Sequence, residues 1–153
     1  MERYVNNVFS VQANTLSAAF CAKTLTVSPG GAPPTKVKLQ IWDTAGAEEY
    51  RSINQLYYKK AAVVCLVYSV TDYESFDALE YWVKELENHA EVDCIKFVIG
   101  AKTDDNDIDE DEAVPKQVGQ EYARQINAQF FLTSAKENIG ITKMFKTAAE
   151  LCA

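Results

Sequence analysis

The chain is short of several residue types that protein chemistry most often relies on. It has one histidine, His89, in 153 residues. That excludes a histidine-rich metal site and argues against a histidine-activated nucleophile. The four cysteines, Cys21, Cys65, Cys94 and Cys152, are far apart and form no C-x-x-C pair. No disulfide framework is expected, and the chain reads as reduced and cytoplasmic. Cys65 and Cys94 stand in apolar, strand-like runs, where buried free thiols are the common case. Positive charge is also scarce: Lys+Arg 15 against Asp+Glu 22 leaves a net charge of −7. Nucleic acid binding through phosphate neutralisation is therefore not expected. The longest apolar run, Ala61 to Val70, is about half of the roughly 20 residues a membrane helix needs. The N-terminus has no apolar signal-peptide core, and Cys152-Ala153 lacks the spacing of a prenylation box, so no membrane anchor is expected in this chain.

What is present is an ordinary globular composition, with 48% hydrophobic and 24% charged residues. The length fits one domain over 1–153, large enough to bury roughly 68–70% of its unfolded surface. Strand-like and helix-like periods alternate, which predicts an α/β fold with a mostly parallel sheet. Leu16 to Val27 and Val37 to Trp42 read as an antiparallel hairpin around the turn Ser28-Pro29-Gly30-Gly31-Ala32-Pro33-Pro34. A helix is expected around Glu48 to Lys60. Ala62 to Val70 and Ile95 to Ile99 read as buried strands, and Phe130 to Leu132 as a short one. Asp72 is placed to cap a helix in which Phe76, Leu79, Val83 and Leu86 recur at helical spacing. Pro115 suits the first turn of a helix reaching about Asn127, and Ile141 to Leu151 forms the last.

Ligands of open α/β sheets bind beyond the carboxyl ends of the strands. Three such ends carry unusual sets: Asp43-Thr44-Ala45-Gly46, Ala101-Lys102-Thr103-Asp104 and Thr133-Ser134-Ala135-Lys136. All three are expected on one edge of the sheet. A carboxylate such as Asp43 can hold hydrated Mg²⁺. Gly46, having no side chain, lets its N–H approach a phosphate. Asp104 offers two acceptor oxygens to the two N–H donors of a guanine edge. Lys102 can lay its stem on the base, and Ala135 can offer a backbone N–H to a base carbonyl. Each motif alone is equally a strand followed by a turn, solvated charge, or a helix cap. Their order changes that reading.

In that order the chain resembles a Rab-type small GTPase of the Ras superfamily, nearest the early-endosomal Rab group. The resemblance is carried by Thr15 to Phe20, Trp42-Asp43-Thr44-Ala45-Gly46, Tyr57-Tyr58, Ser75-Phe76, Gly100 to Asp104 and Thr133 to Lys136, in collinear order. It implies the three-layer small-GTPase fold of P-loop nucleoside triphosphatases, GTP or GDP with Mg²⁺ as cofactors, and Rab effectors and regulators as partners. Thr15 would contact Mg²⁺ and the terminal phosphate, and Asp43 and Gly46 would open the second switch. Lys102, Asp104, Ser134, Ala135 and Lys136 would surround guanine. Phe20, Trp42 and Tyr57 would match the aromatic triad that meets effectors; plain core is the alternative for them.

The chain departs from that family at specific points. No G-x-x-x-x-G-K-[ST] stretch occurs, and none of the six glycines precedes a lysine. Arg3-Tyr4-Val5 to Phe9 reads as the last turn of the family's first helix, so the first strand, the P-loop and most of that helix are expected to be missing. Weak nucleotide binding follows, because those groups hold most of the phosphate charge. Unpaired strand edges are a second consequence, with oligomerisation through them a possible outcome. Ala47 stands where the family has the glutamine that orients the attacking water, and Ala101 replaces the asparagine of the guanine motif. Ser17 replaces a glycine of the first switch. The acidic run from Asp104 to Glu112 reads as solvated charge, since it lacks the glycine and terminal glutamate of a Ca²⁺ loop. Three functions compete: a Rab-like switch in endosomal vesicle traffic, a nucleotide-independent effector-binding module, and an inactive segment of a longer Rab. Endosomal membranes would be reached through a lipidated tail beyond Ala153.

Overall fold

A computed structural model describes residues 1–10, 19–44, 57–89, 94–105, 109 and 111–153. The chain divides into two compact units, Met1–Tyr57 with Ile141–Ala153, and Tyr58–Gly140.

The first unit opens with a short helix, α1 (Glu2–Asn6), closed by Asn7 in the left-handed region at φ 55°. Asparagine tolerates that conformation better than most residues. Strands β1 (Ala19–Val27) and β2 (Thr35–Asp43) pair antiparallel from Ala19↔Asp43 to Val27↔Thr35. The turn between them needs its two glycines: Gly30 and Gly31 sit at φ 55° and 82°, where a Cβ is disfavoured. Alternation along β1 turns Cys21, Lys23, Leu25 and Val27 inward, and Phe20, Ala22, Thr24 and Thr26 to solvent. The inward row receives the last helix, α5 (Ile141–Leu151), which also touches α1. Tyr4 is buried here and stacks on Phe145 at 4.0 Å between ring centroids. Lys23 Nζ lies 4.1 Å from the Tyr4 ring centroid and donates to the Tyr4 carbonyl at 2.5 Å. The cation is thus held on the ring face by two attractions.

The second unit is a parallel sheet in the order β3 (Val63–Ser69), β4 (Ile95–Ala101), β5 (Gln129–Leu132). Helices α2 (Tyr73–Asp77), α3 (Leu79–His89) and α4 (Lys116–Gln125) pack against it. The Asp72 side chain caps α2 by accepting from the Ser75 N–H at 3.0 Å. Phe76, Leu79, Val83 and Leu86, the four positions picked out by helical spacing, are all buried with Leu66, Tyr68, Val98 and Ala123. Burying each large apolar side chain contributes about 1.5–3 kcal/mol, which makes this cluster the main stabiliser of the unit. Ala78 separates α2 from α3, where one helix is expected from the sequence. Pro115 precedes α4 as its cap residue rather than opening its first turn.

Three expectations need correction or fall outside the described residues. The strand ends do not share one sheet edge. Every residue of β2 is in register with β1, so Asp43 ends an antiparallel hairpin, while the other two ends belong to the parallel sheet. Cys65 is exposed and Cys94 half-buried, because Cys65 points to the face of β3 opposite Leu66 and Tyr68. The helix around Glu48 to Lys60 lies, for 48–56, outside the described residues, as does the start of the first strand at Leu16 to Ala18.

Candidate nucleotide site and partner surface

Two of the three strand ends converge. Strands β4 and β5 are parallel neighbours with Gly100 opposite Leu132, so the loops that leave them emerge side by side. Backbone bonds bind the loops together: the Thr133 N–H donates to the Gly100 carbonyl at 2.8 Å, and the Thr103 N–H to the Thr133 carbonyl at 3.2 Å. Lys102 turns the first loop in the left-handed region at φ 61°, with its side chain exposed. That turn swings Asp104 back toward the second loop.

There Ser134, fully buried, donates its hydroxyl to Asp104 Oδ1. The same Ser134 oxygen accepts from the Glu137 N–H at 2.9 Å, and its backbone pairs with Ile139 in both directions. Gly140 closes the turn at φ 72°, where an added Cβ would collide with the Leu132 carbonyl. Lys136 Nζ stands 4.0 Å from Asp104 Oδ2, and the Asp104 side chain is only 14% exposed. A carboxylate has about four acceptor positions, and the serine hydroxyl fills one. Acceptor capacity therefore remains on Asp104, in a loop fixed by hydrogen bonds and aimed by the sheet. Ala135 is half-buried next to it. Ala101, ending β4, brings no side-chain donor or acceptor.

The arrangement fits a base that presents adjacent N–H donors. The phosphate end does not fit a nucleotide in the same way. No G-x-x-x-x-G-K-[ST] stretch exists in the sequence. Thr15, Gly46 and Ala47 lie outside the described residues. Asp43 is exposed at the tip of β2, a suitable single carboxylate for hydrated Mg²⁺. Among the described residues no three His, Cys, Asp or Glu side chains come together as a metal cluster.

The three aromatics do come together. Phe20 and Trp42 face each other across the hairpin, ring centroids 4.6 Å apart, and Tyr57 stacks on Trp42 at 4.9 Å. Phe20 is 49% and Trp42 47% exposed. That rules out the core alternative for both. Two large aromatics in tilted contact at the surface are unusual, and such residues are enriched at protein interfaces.

A sequence model of the Ras family matches residues 1–153. The chain belongs to the Ras family. Over 114 residues it is 41% identical to "Ras-related protein Rab-8A" of Bos taurus and of Rattus norvegicus, covering 74% of this chain and 54% of each relative. Over 115 residues it is 41% identical to "Ras-related protein Rab-10" of Diplobatis ommata, covering 75% of this chain and 56% of that one. These relatives are Rab-type small GTPases, and the chain spans about half the length of the curated relatives it matches. Proteins of this family use Mg²⁺ with GTP or GDP and work through effectors and regulators. Among the described residues no helix is long and apolar enough to cross a membrane. Sequence reasoning overlooked Thr103 and Thr133, which tie the two loops together; their position just past strand ends is the only signal they give.

Proposed function

We propose that residues 1–153 form a single Rab-like switch domain in which the base-recognition loops are built and no phosphate-cradling G-x-x-x-x-G-K-[ST] stretch occurs. The observation supporting this most directly is the hydrogen bond from buried Ser134 to Asp104, which joins the two loops beyond adjacent parallel strands. In this reading Asp104 accepts from the guanine edge, Ala135 offers its backbone N–H to the base carbonyl, and the stems of Lys102 and Lys136 flank the base. Thr15 and Asp43 would hold Mg²⁺, and Gly46 would meet the terminal phosphate. Bound Mg²⁺ supplies charge neutralisation at the phosphates; the chain's own contribution is to orient the base.

Binding of GTP or GDP is weak in this reading, because a cradle of backbone N–H groups and a lysine normally carries most of the phosphate affinity. Ala101 weakens it further, since a missing hydrogen-bonding group costs about 1–3 kcal/mol. Hydrolysis is slow or absent, as the methyl group of Ala47 cannot orient water. The role is in vesicle traffic at endosomal membranes. A second reading, a nucleotide-independent effector-binding module, is favoured by the exposed Phe20–Trp42–Tyr57 stack.

Titration of the chain with guanosine diphosphate and adenosine diphosphate, followed by NMR of the 101–104 and 133–136 amides, tests the first reading. Millimolar binding with a guanine preference that disappears in Asp104→Ala is expected. Equal response to both nucleotides would contradict the assignment of these loops.

A further inference from the structure

The hairpin carries a charge pattern unlike the rest of the chain. From Ala19 to Trp42 its only charged residues are Lys23, Lys36 and Lys38, in a chain whose net charge is −7. Lys23 points inward to Tyr4. Lys36 and Lys38 lie on the outer face of β2, in line with Gln40 and Trp42, and are exposed. Neither forms an ion pair with any described residue. The outer face is therefore one uninterrupted strip, aromatic at one end and cationic at the other, with no carboxylate along it until Asp43.

We propose that this strip docks one amphipathic acidic helix of a partner protein, with an apolar anchor on Phe20, Trp42 and Tyr57 and carboxylates on Lys36 and Lys38. The proposal rests on the reading of the aromatic stack as an effector surface and adds the chemistry and direction of the partner. Charge complementarity selects an acidic occupant: the strip is locally positive on an otherwise negative molecule, which would repel acid presented elsewhere. Geometry sets the spacing. At about 3.4 Å per strand residue, Lys38 and Lys36 lie roughly 14 and 20 Å from Trp42. A helix rises 1.5 Å per residue, so its acids fall about 9–13 residues from its anchor. A helix about 10–12 Å across covers a two-stranded ribbon.

The test uses two synthetic helical peptides, identical except that one carries four Glu and the other four Lys at 9–13 residues from a Trp anchor. Binding to the whole chain is measured by fluorescence anisotropy at low and high salt. Vesicles of acidic phospholipid form a third probe. The acidic peptide is expected to bind about tenfold tighter than the basic one at low salt, less so at high salt. The order should reverse in the Lys36→Glu/Lys38→Glu variant, whose exposed positions leave the circular dichroism unchanged. Equal affinities, no binding of either peptide, a preference untouched by charge reversal, or binding to the vesicles in place of the acidic peptide would each overturn the proposal. A Trp42→Ala variant separates the two levels. If it loses both peptides while charge reversal changes nothing, the aromatic surface stands and the strip falls. If it retains both, the effector-surface reading itself falls, and the proposal with it.

Discussion

At the residue scale the second unit contains a local conflict. The Tyr68 hydroxyl is buried with no hydrogen-bond partner among the described residues, and a Cβ added at Gly119 would overlap it and approach Phe130 Cε2 to 2.8 Å. A buried hydroxyl left unpaired costs roughly 1–3 kcal/mol. Tyr68→Phe keeps the edge-on contact with Phe76 at 5.0 Å and should be neutral or stabilising by up to about 1 kcal/mol in urea denaturation. Gly119→Ala should destabilise by about 1–3 kcal/mol through overpacking, and by less in the Tyr68→Phe background. Additive effects would show that the two sites do not meet.

The same tyrosine sets an alkaline limit. Burial pushes the Tyr68 phenol up to about 12. Burial and then the Glu85 carboxylate, its hydrogen-bond acceptor at 3.2 Å, push Tyr58 to about 12 as well. The folded state therefore keeps protons that the unfolded chain releases from about pH 10 upward. This contribution is fully present below pH 10 and is lost as pH rises toward 12. Denaturation midpoints should fall across that window, and less steeply in Tyr68→Phe. A flat profile would mean that the phenols are solvated.

At the element scale, much was legible from the sequence because one periodicity dominated each segment. The spacing of Phe76, Leu79, Val83 and Leu86 identified a buried helical face, and Asp72 its cap. Asp72→Ala should cost about 1 kcal/mol in thermal or urea unfolding, since the Ser75 N–H then loses its acceptor. The hairpin was readable from alternation and its Pro-Gly turn. Sheet membership was not, because alternation shows which residues face inward but not which strand lies alongside. That is why the end of β2 was expected on the same sheet edge as the ends of β4 and β5. Cys65 misled for a related reason: an apolar run suggests a strand buried on both faces, yet one face of β3 is open at that position.

The aromatic stack gives the element-scale prediction for function. Trp42 is half-exposed, so Trp42→Ala should leave circular dichroism unchanged while partner binding falls. A lost fold would return Trp42 to a structural role.

At the scale of the whole molecule, the family was visible in the order of short motifs, none of which is decisive alone. The candidate base site was legible in Asp104, Ser134 and Lys136, whose side chains do meet. The links through Thr103 and Thr133 were not, since the bonds from the Thr103 N–H and hydroxyl to the Thr133 carbonyl depend on the register of β4 and β5. Weak binding of nucleotide is read from the sequence, from the missing G-x-x-x-x-G-K-[ST] stretch and from Ala101. If Ala47 alone limited turnover, Ala47→Gln would restore it; no gain is expected, because the phosphate-binding motif is absent.

The nucleotide content of the purified, mass-verified chain tests the central claim most directly, followed by titration with GDP and GTP in Mg²⁺ buffer. The expected result is an empty protein that binds only near millimolar ligand, about 4 kcal/mol of affinity. Near-stoichiometric guanine nucleotide would contradict it, and would mean that this chain holds the phosphates by a segment other than a P-loop.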